Sequence, residues 1–185
     1  MKLPPSKIIG VLVVNLFIFI AFFSLQIGST DTLDVEDVLG IANSLESFEV
    51  IDVVDGDTIK VYYEGKLEKI RLIGVNTPEN QSIYRNKECY SKEASQHLNE
   101  LLEGNQVYLV PDTLVGDRGD FDRLLRYVYI ENGVDVGEQM IRDGYAFEFT
   151  YDSSYLNQAS YMDAQREAQV NHRGLWSVET CSGRP

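Results

Sequence analysis

The chain has 185 residues, a formal net charge of −13 and 44% hydrophobic residues. This length suits one globular domain plus an additional segment, because a core of ordinary density takes about 100 to 150 residues. The acidic charge argues against nucleic-acid binding driven by bulk attraction, and the sequence contains no glycine-rich phosphate loop, zinc-ligand pattern or Ser-His-Asp arrangement that would indicate another chemistry.

The additional segment is at the N-terminus. Residues 8–27 contain no charged residue, and an apolar run of this length can span a bilayer. Lys2 and Lys7 precede the run and acidic residues follow it, so the positive-inside rule places the N-terminus in the cytoplasm and the remainder outside. We therefore expect a membrane anchor, with a cleaved secretion signal and a buried core helix as the alternatives.

This interpretation fixes the expected organisation and location. In order, we expect a cytoplasmic N-terminus, an anchor or signal segment, an acidic spacer, a folded domain and a C-terminal tail, at 1–7, 8–27, 28–46, 47–178 and 179–185. The folded domain is expected to be extracytoplasmic, either anchored in the cell membrane or secreted, and to be a monomer.

The sequence of the first half of the domain is typical of β-strands. Residues 48–75, "FEVIDVVDGDTIKVYYEGKLEKIRLIGV", are rich in Val, Ile and Tyr, with turn signals at Asp55-Gly56 and Glu64-Gly65. This pattern predicts three successive antiparallel strands.

Helices and strands then alternate. Residues 91–104 place Leu and Ala on one helical face, with Ser91 as the expected cap. Two further strands are predicted in "NQVYLVPD" and "RLLRYVYIENG", then a helix in "DVGEQMIRDG" and a last helix over about 154–170. Five short strands with a helix after the third are typical of an OB-fold β-barrel, so the predicted class is α+β with three helices in this domain.

The two cysteines of the chain, Cys89 and Cys181, both lie in the domain. An exported compartment would allow them to oxidise. A disulfide between them would close a loop of about 90 residues and stabilise the fold by about 4 to 5 kcal/mol in the chain-entropy model. Two unpaired thiols are the alternative.

Two charged residues flank the end of the third predicted strand. Arg71 stands within an otherwise apolar run, where a guanidinium needs an anionic partner, either a phosphate or a neighbouring carboxylate. Pro78 lacks an N–H and disfavours helix for the residue before it, so Glu79 is expected in a rigid turn just past the strand. An ordinary solvated turn is the alternative.

Hard oxygen donors are expected at the same place. Asp57, Asn76 and the carbonyl of Thr77 are ligands that calcium accepts, and Arg123 at the start of a later strand could converge with Arg71. Two guanidinium groups, a carboxylate and a divalent cation are suited to phosphodiester hydrolysis, because fixed charges stabilise the charge that develops on the phosphoryl oxygens.

Six motifs of the domain occur in this order: "VVDGDTIKV", "IRLIGVNTPE", "KEAS", "DRLLRYVY", "IRDGYA" and "RGLWS". Together they resemble the staphylococcal nuclease (thermonuclease) family over about residues 47–177. The resemblance implies an OB-fold barrel with three helices and calcium-dependent hydrolysis of DNA and RNA that leaves 3′-phosphate ends.

The resemblance also implies a role for each member of the predicted site. These members are the calcium ligands Asp57, Asn76 and Thr77, the general base Glu79, and the phosphate-binding arginines Arg71 and Arg123. Asn76 departs from the aspartate that is frequent in the family, so we expect weaker calcium binding. Phe121-Asp122 replaces the family's Tyr-Gly, and the tyrosine near its base pocket corresponds to Thr150 or Tyr151.

Three functions remain in view. The first is an exported, membrane-tethered calcium-dependent nuclease with DNA and RNA as substrates. The second is a catalytically silent module of the same fold that binds nucleic acid or protein, and the third is a sugar-binding or structural surface module. Arg71, Glu79 and Arg123 together favour the nuclease, because a module that only binds has no need of all three.

Overall fold

The computed structural model describes residues 46–79 and 88–181. The predicted anchor, residues 8–27, and residues 28–45 of the predicted spacer lie outside this described part. In residues 46–79 and 88–181, no helix combines the length and apolar character needed to cross a membrane.

The described residues contain seven strands and three α-helices. The strands are β1 (Ser47–Val53), β2 (Thr58–Tyr63), β3 (Lys66–Leu72), β4 (Val75–Asn76), β5 (Gln106–Val110), β6 (Leu124–Ile130) and β7 (Phe147–Glu148). The helices are α1 (Ser91–Leu102), α2 (Val136–Arg142) and α3 (Gln158–Val170). Strands β1, β2, β3, β6 and β5 close into a barrel in that order, which confirms the predicted five-stranded barrel with three helices.

The first three strands form antiparallel hairpins as predicted. The β2–β3 register runs from Thr58 opposite Arg71 to Tyr63 opposite Lys66. At its turn Gly65 adopts a φ of 76°, a left-handed conformation that glycine enters at little cost. The barrel interior is filled by the alternate apolar residues of the strands, among them Ile59, Val61, Ile70, Leu72, Val107, Leu124 and Val128.

One strand pair of the barrel is parallel. Strand β3 pairs with β6, with Ile70 opposite Leu124 and Leu72 opposite Arg126. Parallel neighbours need a long connection between them, and here it contains α1 and β5. The consequence for function is that the end of β3 lies beside the start of β6.

Two predicted helix starts need correction. Ser91 is the first residue of α1, not its cap; Tyr90 holds the cap position with a φ of 72°, and the buried Ser91 hydroxyl has no hydrogen-bond partner among the described residues. Helix α3 begins at Gln158, four residues after the predicted start at 154. The preceding chain is held out of helical conformation because the Leu156 N–H donates to the Asp112 carboxylate (2.8 Å).

The second helix follows the prediction closely. Asp135 caps α2 by accepting hydrogen bonds from the N–H groups of Gly137 and Glu138 at 2.9 and 3.2 Å. The same carboxylate accepts from the Tyr161 hydroxyl (2.9 Å) and from the Asn157 side chain (3.0 Å). Asp135 therefore joins the start of α2 to the start of α3 as well as capping a helix.

Cys89 and Cys181 form a disulfide, as the sequence suggested, across a separation of 92 residues. The bond ties the chain just before α1 to the chain just after the turn Gly174–Trp176.

Candidate active site

One end of the barrel brings together the chain before β2, the end of β3 and the start of β6. Arg71 lies opposite Thr58 in the β2–β3 hairpin and opposite Leu125 in the parallel β3–β6 pair. Asp57 immediately precedes β2 and Arg123 immediately precedes β6. The strand register therefore places both residues beside Arg71.

Asp57 is a buried carboxylate with both oxygens engaged. Its Oδ1 lies 3.0 Å from Arg71 Nε and accepts from the Thr58 hydroxyl at 3.0 Å. Its Oδ2 accepts from the N–H and the hydroxyl of Thr77 at 3.0 and 3.2 Å. Two of the predicted metal-ligand residues, Asp57 and Thr77, are thus in direct contact.

Arg71 organises the chain around it. Its Nη1 donates to the carbonyl oxygens of Leu72 and Val75 at 2.7 and 2.5 Å, and its Nη2 donates to Asn76 Oδ1 at 3.1 Å. These hydrogen bonds use three of the five guanidinium N–H groups, and Nε faces Asp57 as an ion pair. The ion pair that the sequence left open is therefore present. Among the described residues Nη2 forms one hydrogen bond, so its second N–H can meet a phosphate.

The electrostatic surroundings of Arg71 show how close the other predicted residues lie. Burial lowers the pKa of Arg71, and the positive charge of Arg123 acts in the same direction. The negative charges that oppose this shift are Asp57, Asp55 and Glu79. The charges of Arg123 and Glu79 therefore both reach Arg71.

Arg123 and Glu79 face outward from this buried network. Arg123 Nε donates to the Asp120 carbonyl at 3.0 Å, and its guanidinium carbon lies 5.8 Å from the centre of the Phe121 ring. The Glu79 N–H donates to Glu88 Oε2 at 2.9 Å. In residues 46–79 and 88–181, no side chain forms a hydrogen bond with the Arg123 Nη groups or with the exposed Glu79 carboxylate. Both groups can therefore contact a substrate.

Asp55 is a member of the site that the sequence interpretation named only as a turn residue. Its Oδ1 accepts from the Asp57 N–H at 3.1 Å. Burial, and then the neighbouring Asp57 charge, raise the pKa of Asp55 from 3.8 to about 6. A bound cation would relieve this crowding of negative charge.

The raised pKa of Asp55 predicts a pH-dependent loss of stability without metal. The unfolded chain releases the Asp55 proton at lower pH than the folded chain, so stability falls as pH rises from about 4 through 6. We expect Asp55→Asn to be more stable than the parent by at most about 3 kcal/mol at pH 8, with the gain vanishing below pH 4. Urea unfolding in chelator at both pH values checks this, with exposed Asp152→Asn as the control; an equal gain at both values contradicts it.

The sequence of this domain matches a known protein family. Residues 69–178 match the family described as "Staphylococcal nuclease homologue". The thermonuclease of Staphylococcus hyicus is 34% identical over 139 residues, 75% of this chain and 80% of the relative. Endonuclease YncB of Bacillus subtilis (strain 168) is 30% identical over 158 residues, 80% of this chain and 72% of the relative. The chain belongs to the staphylococcal nuclease family.

A third relative is a longer protein that matches over part of its length. The SPbeta prophage-derived endonuclease YokF of Bacillus subtilis (strain 168) is 33% identical over 138 residues, 70% of this chain but 45% of the relative.

Asn76, one of the predicted metal ligands, lies at the end of β4. Its Oδ1 accepts from Arg71 Nη2, and it pairs across the small β4–β7 sheet with Phe147. The amide oxygen keeps a donor at this position without a negative charge. Within the described residues there is no group of three or more His, Cys, Asp or Glu side chains that could hold a metal, so a metal here would depend on amide and carbonyl oxygens.

The oxygen donors of the predicted metal site suit a hard cation. Asp57 and Asp55 supply carboxylates, Asn76 an amide oxygen and Thr77 a carbonyl, all around one end of the barrel. Oxygen donors in flexible geometry suit calcium better than metals that require nitrogen or sulfur ligands. The low number of carboxylates is consistent with weak binding.

The turn at Phe121-Asp122 carries backbone strain. Phe121 and Asp122 both have a φ of 59°, in the left-handed region that costs most residues about 1 to 2 kcal/mol. Arg118 holds this turn by donating to the Asp122 carbonyl at 2.7 Å and to both carboxylate oxygens of Glu68 at 3.2 and 3.1 Å. The turn thereby presents Arg123 at the barrel end.

We expect Asp122→Gly to improve both stability and substrate binding. Glycine adopts the left-handed conformation freely, so stability should rise by about 1 kcal/mol, and the loss of a carboxylate next to Arg123 should lower KM for single-stranded DNA. Asp122→Asn separates the causes, because it removes the charge and keeps the strain. Thermal unfolding and KM for the three proteins test this; an unchanged KM in both variants contradicts the electrostatic part.

The sequence interpretation did not name two aromatic residues in or directly after β7, Phe147 and Phe149. The β4–β7 register puts Phe147 opposite Asn76. The correspondence of Thr150 or Tyr151 to the family's base-pocket tyrosine stays a prediction. Phe149 donates its N–H to the Gly74 carbonyl at 3.0 Å, and its ring lies 6.2 Å from that of Tyr151. The signal was the alternation "AFEF" at 146–149, which is typical of a short strand.

Proposed function

We propose that this protein is an endonuclease that hydrolyses phosphodiester bonds of DNA and RNA with calcium and leaves 3′-phosphate ends. The observation that carries the proposal is the convergence of Asp57, Arg71 and Arg123 at one barrel end, with Glu79 near enough to influence Arg71. The nuclease names of the relatives support the same activity.

The residues divide the reaction between them. Among the described residues the Arg123 Nη groups form no hydrogen bond, and Arg71 Nη2 forms one, to Asn76. The two guanidinium groups therefore bind the phosphoryl oxygens and stabilise the charge that develops on them. Glu79 orients the attacking water and accepts its proton. Calcium, held by Asp57, Asn76 and the Thr77 carbonyl, would supply additional positive charge at the phosphate.

The direct test is cleavage by the full chain. We expect cleavage of single-stranded DNA and RNA with calcium, little with magnesium and none with chelator, and products that change mobility after treatment with a 3′-phosphatase. Glu79→Gln should remove most of this activity, while the exposed Glu103→Gln serves as the control. A folded parent that binds DNA and does not cleave it at millimolar calcium would instead identify the catalytically silent binding module.

We expect Asn76→Asp to lower the calcium concentration needed for activity. The substitution adds one negative charge to the donor set, and ligand charge sets calcium affinity, so a change on the order of tenfold is expected, about 1.4 kcal/mol. Isothermal titration with calcium and activity against calcium concentration measure the effect. Asn132→Asp, in the exposed turn between β6 and α2, is a matched control; equal calcium affinity in both variants would remove Asn76 from the metal site.

We further propose that the enzyme acts outside the cytoplasm, tethered through residues 8–27. The charge pattern around this segment supports the orientation. In intact cells, protease added from outside should digest the domain, and carbonate washing should leave the undigested chain in the membrane fraction. Release of the chain into the medium would indicate a secreted enzyme.

A further inference from the structure

The backbone that carries Glu79 is fixed by two carboxylates. The Thr77 N–H donates to Asp57 Oδ2 at 3.0 Å, and the Glu79 N–H donates to Glu88 Oε2 at 2.9 Å. Pro78 between them has no N–H. Both available donors of this turn are therefore bonded to carboxylates, one from the barrel and one from the chain before α1.

The contact between Glu79 and Glu88 is reciprocal. The Glu88 N–H donates to the Glu79 carbonyl at 3.0 Å, while the Glu88 carboxylate accepts from the Glu79 N–H. Two bonds on the same residue restrict both peptide planes around the Glu79 Cα. The direction in which the Glu79 side chain leaves the backbone is thus set by Glu88.

Glu88 is in turn held by the elements that follow it. Cys89 is its neighbour in sequence and is bonded to Cys181. Two residues later α1 begins, and its first turn packs closely on the site: a Cβ added at Gly56 would lie 2.9 Å from Ala94 Cβ and 2.8 Å from the Thr77 side chain. The disulfide and α1 therefore fix the position from which Glu88 reaches Glu79.

We propose that Glu88 is a positioning residue for Glu79, and that the Cys89–Cys181 disulfide keeps it in place, so that turnover depends on the oxidised disulfide. This inference rests on the proposed role of Glu79 as the base. The two hydrogen bonds between Glu88 and Glu79 involve the Glu79 backbone. Loss of the Glu88 carboxylate therefore changes the orientation of the base and not the binding of phosphate.

The first experiment compares Glu88→Ala, Glu88→Gln and Glu93→Ala in calcium. We expect kcat of Glu88→Ala to fall by about tenfold to a hundredfold, because small misplacement of a catalytic group has effects of this size, with KM and the calcium requirement within twofold of the parent. Glu88→Gln keeps an oxygen acceptor and should restore most of kcat. Glu93→Ala makes the same charge change in the first turn of α1; kcat values equal to those of Glu88→Ala would overturn the proposal.

A second readout does not depend on catalysis. Hydrogen exchange of the Glu79 amide, followed by NMR, should be faster in Glu88→Ala than in the parent and nearly normal in Glu88→Gln. Unchanged exchange would overturn the positioning role even if the parent is an active nuclease. If the parent cleaves no nucleic acid but exchange accelerates as expected, the positioning stands and the proposed function fails.

The disulfide is tested by combination. Cys89→Ser/Cys181→Ser, assayed well below its unfolding midpoint, should lose kcat and accelerate Glu79 exchange, and Glu88→Ala should add little to either loss because both changes act through the same contact. Additive losses of kcat would overturn the coupling between the disulfide and Glu88. A matching fall in kcat on reduction of the parent, reversed by reoxidation, supports it.

Discussion

Arg123→Ala is expected to remove most of the nuclease activity and to leave the fold intact. Among the described residues the Arg123 side chain makes one hydrogen bond, from Nε to the Asp120 carbonyl, and a ring contact with Phe121. Neither is buried, so we expect a change in unfolding free energy below about 0.5 kcal/mol. Removal of one donor that stabilises transition-state charge costs about 10²- to 10³-fold in turnover.

Arg71→Ala is the informative contrast, because this residue serves both fold and chemistry. It neutralises the buried Asp57 at 3.0 Å and donates to the carbonyls of Leu72 and Val75. Removing one partner of a buried ion pair costs about 3 to 5 kcal/mol. We therefore expect Arg71→Ala to lose activity together with stability, whereas Arg123→Ala loses activity alone.

The measurement is kcat and KM on single-stranded DNA beside urea unfolding of the same preparations. Arg166→Ala, which removes an exposed ion pair to Asp163 on α3, is the control for a lost surface cation. Full activity of Arg123→Ala would exclude Arg123 from the phosphate site. Unchanged stability of Arg71→Ala would show that the Asp57 contact is not needed by the fold.

Removal of the disulfide is expected to have the largest effect on stability. Cys89 and Cys181 are 92 residues apart, and a cross-link over a loop of about this length stabilises by about 4 to 5 kcal/mol in the chain-entropy model. The total free energy of unfolding of a domain is typically about 5 to 15 kcal/mol, so the disulfide would contribute a large part of it. The Cys89→Ser/Cys181→Ser variant should thus unfold at much lower urea concentration.

The reduced parent provides the matched comparison for that variant. If the cross-link itself stabilises the fold, reduction with dithiothreitol and the double substitution should shift the urea midpoint equally. If the free energy of unfolding fell by less than about 1 kcal/mol in both proteins, the fold would be nearly as stable without the cross-link. That result would contradict the entropy argument. A loss in the variant alone would point to the packing of Cys181, which is buried.

The acidic charge of the chain does not conflict with the candidate site. The net charge of −13 is distributed over the whole sequence, whereas the two arginines lie at one barrel end. Local contacts at a site and bulk attraction are separate contributions to binding. Substrate recognition here would rely on placed guanidinium groups.

Sequence alone determined the local structure wherever a pattern acts over a few residues. The Asp-Gly and Glu-Gly turns, the alternation of β2 and β3, and the Asp135 cap were all readable because hydrophobic period and turn chemistry are local properties. The predicted start of α3 was wrong because a contact with a distant residue outweighed the local helical pattern. Helix α3 starts late because Asp112, 44 residues away, binds the Leu156 N–H.

The members of the candidate site other than Asp55 were proposed from the sequence, since charged residues at strand ends are visible there. Their arrangement was decided by the tertiary structure. Strand register set Arg71 against Asp57, and the β4–β7 pair brought Phe147 to Asn76. The Glu79–Glu88 contact likewise depends on where α1 and the disulfide hold the chain. The Arg71–Asp57 and Asn76–Phe147 contacts join different segments of the chain, so no local pattern encodes them.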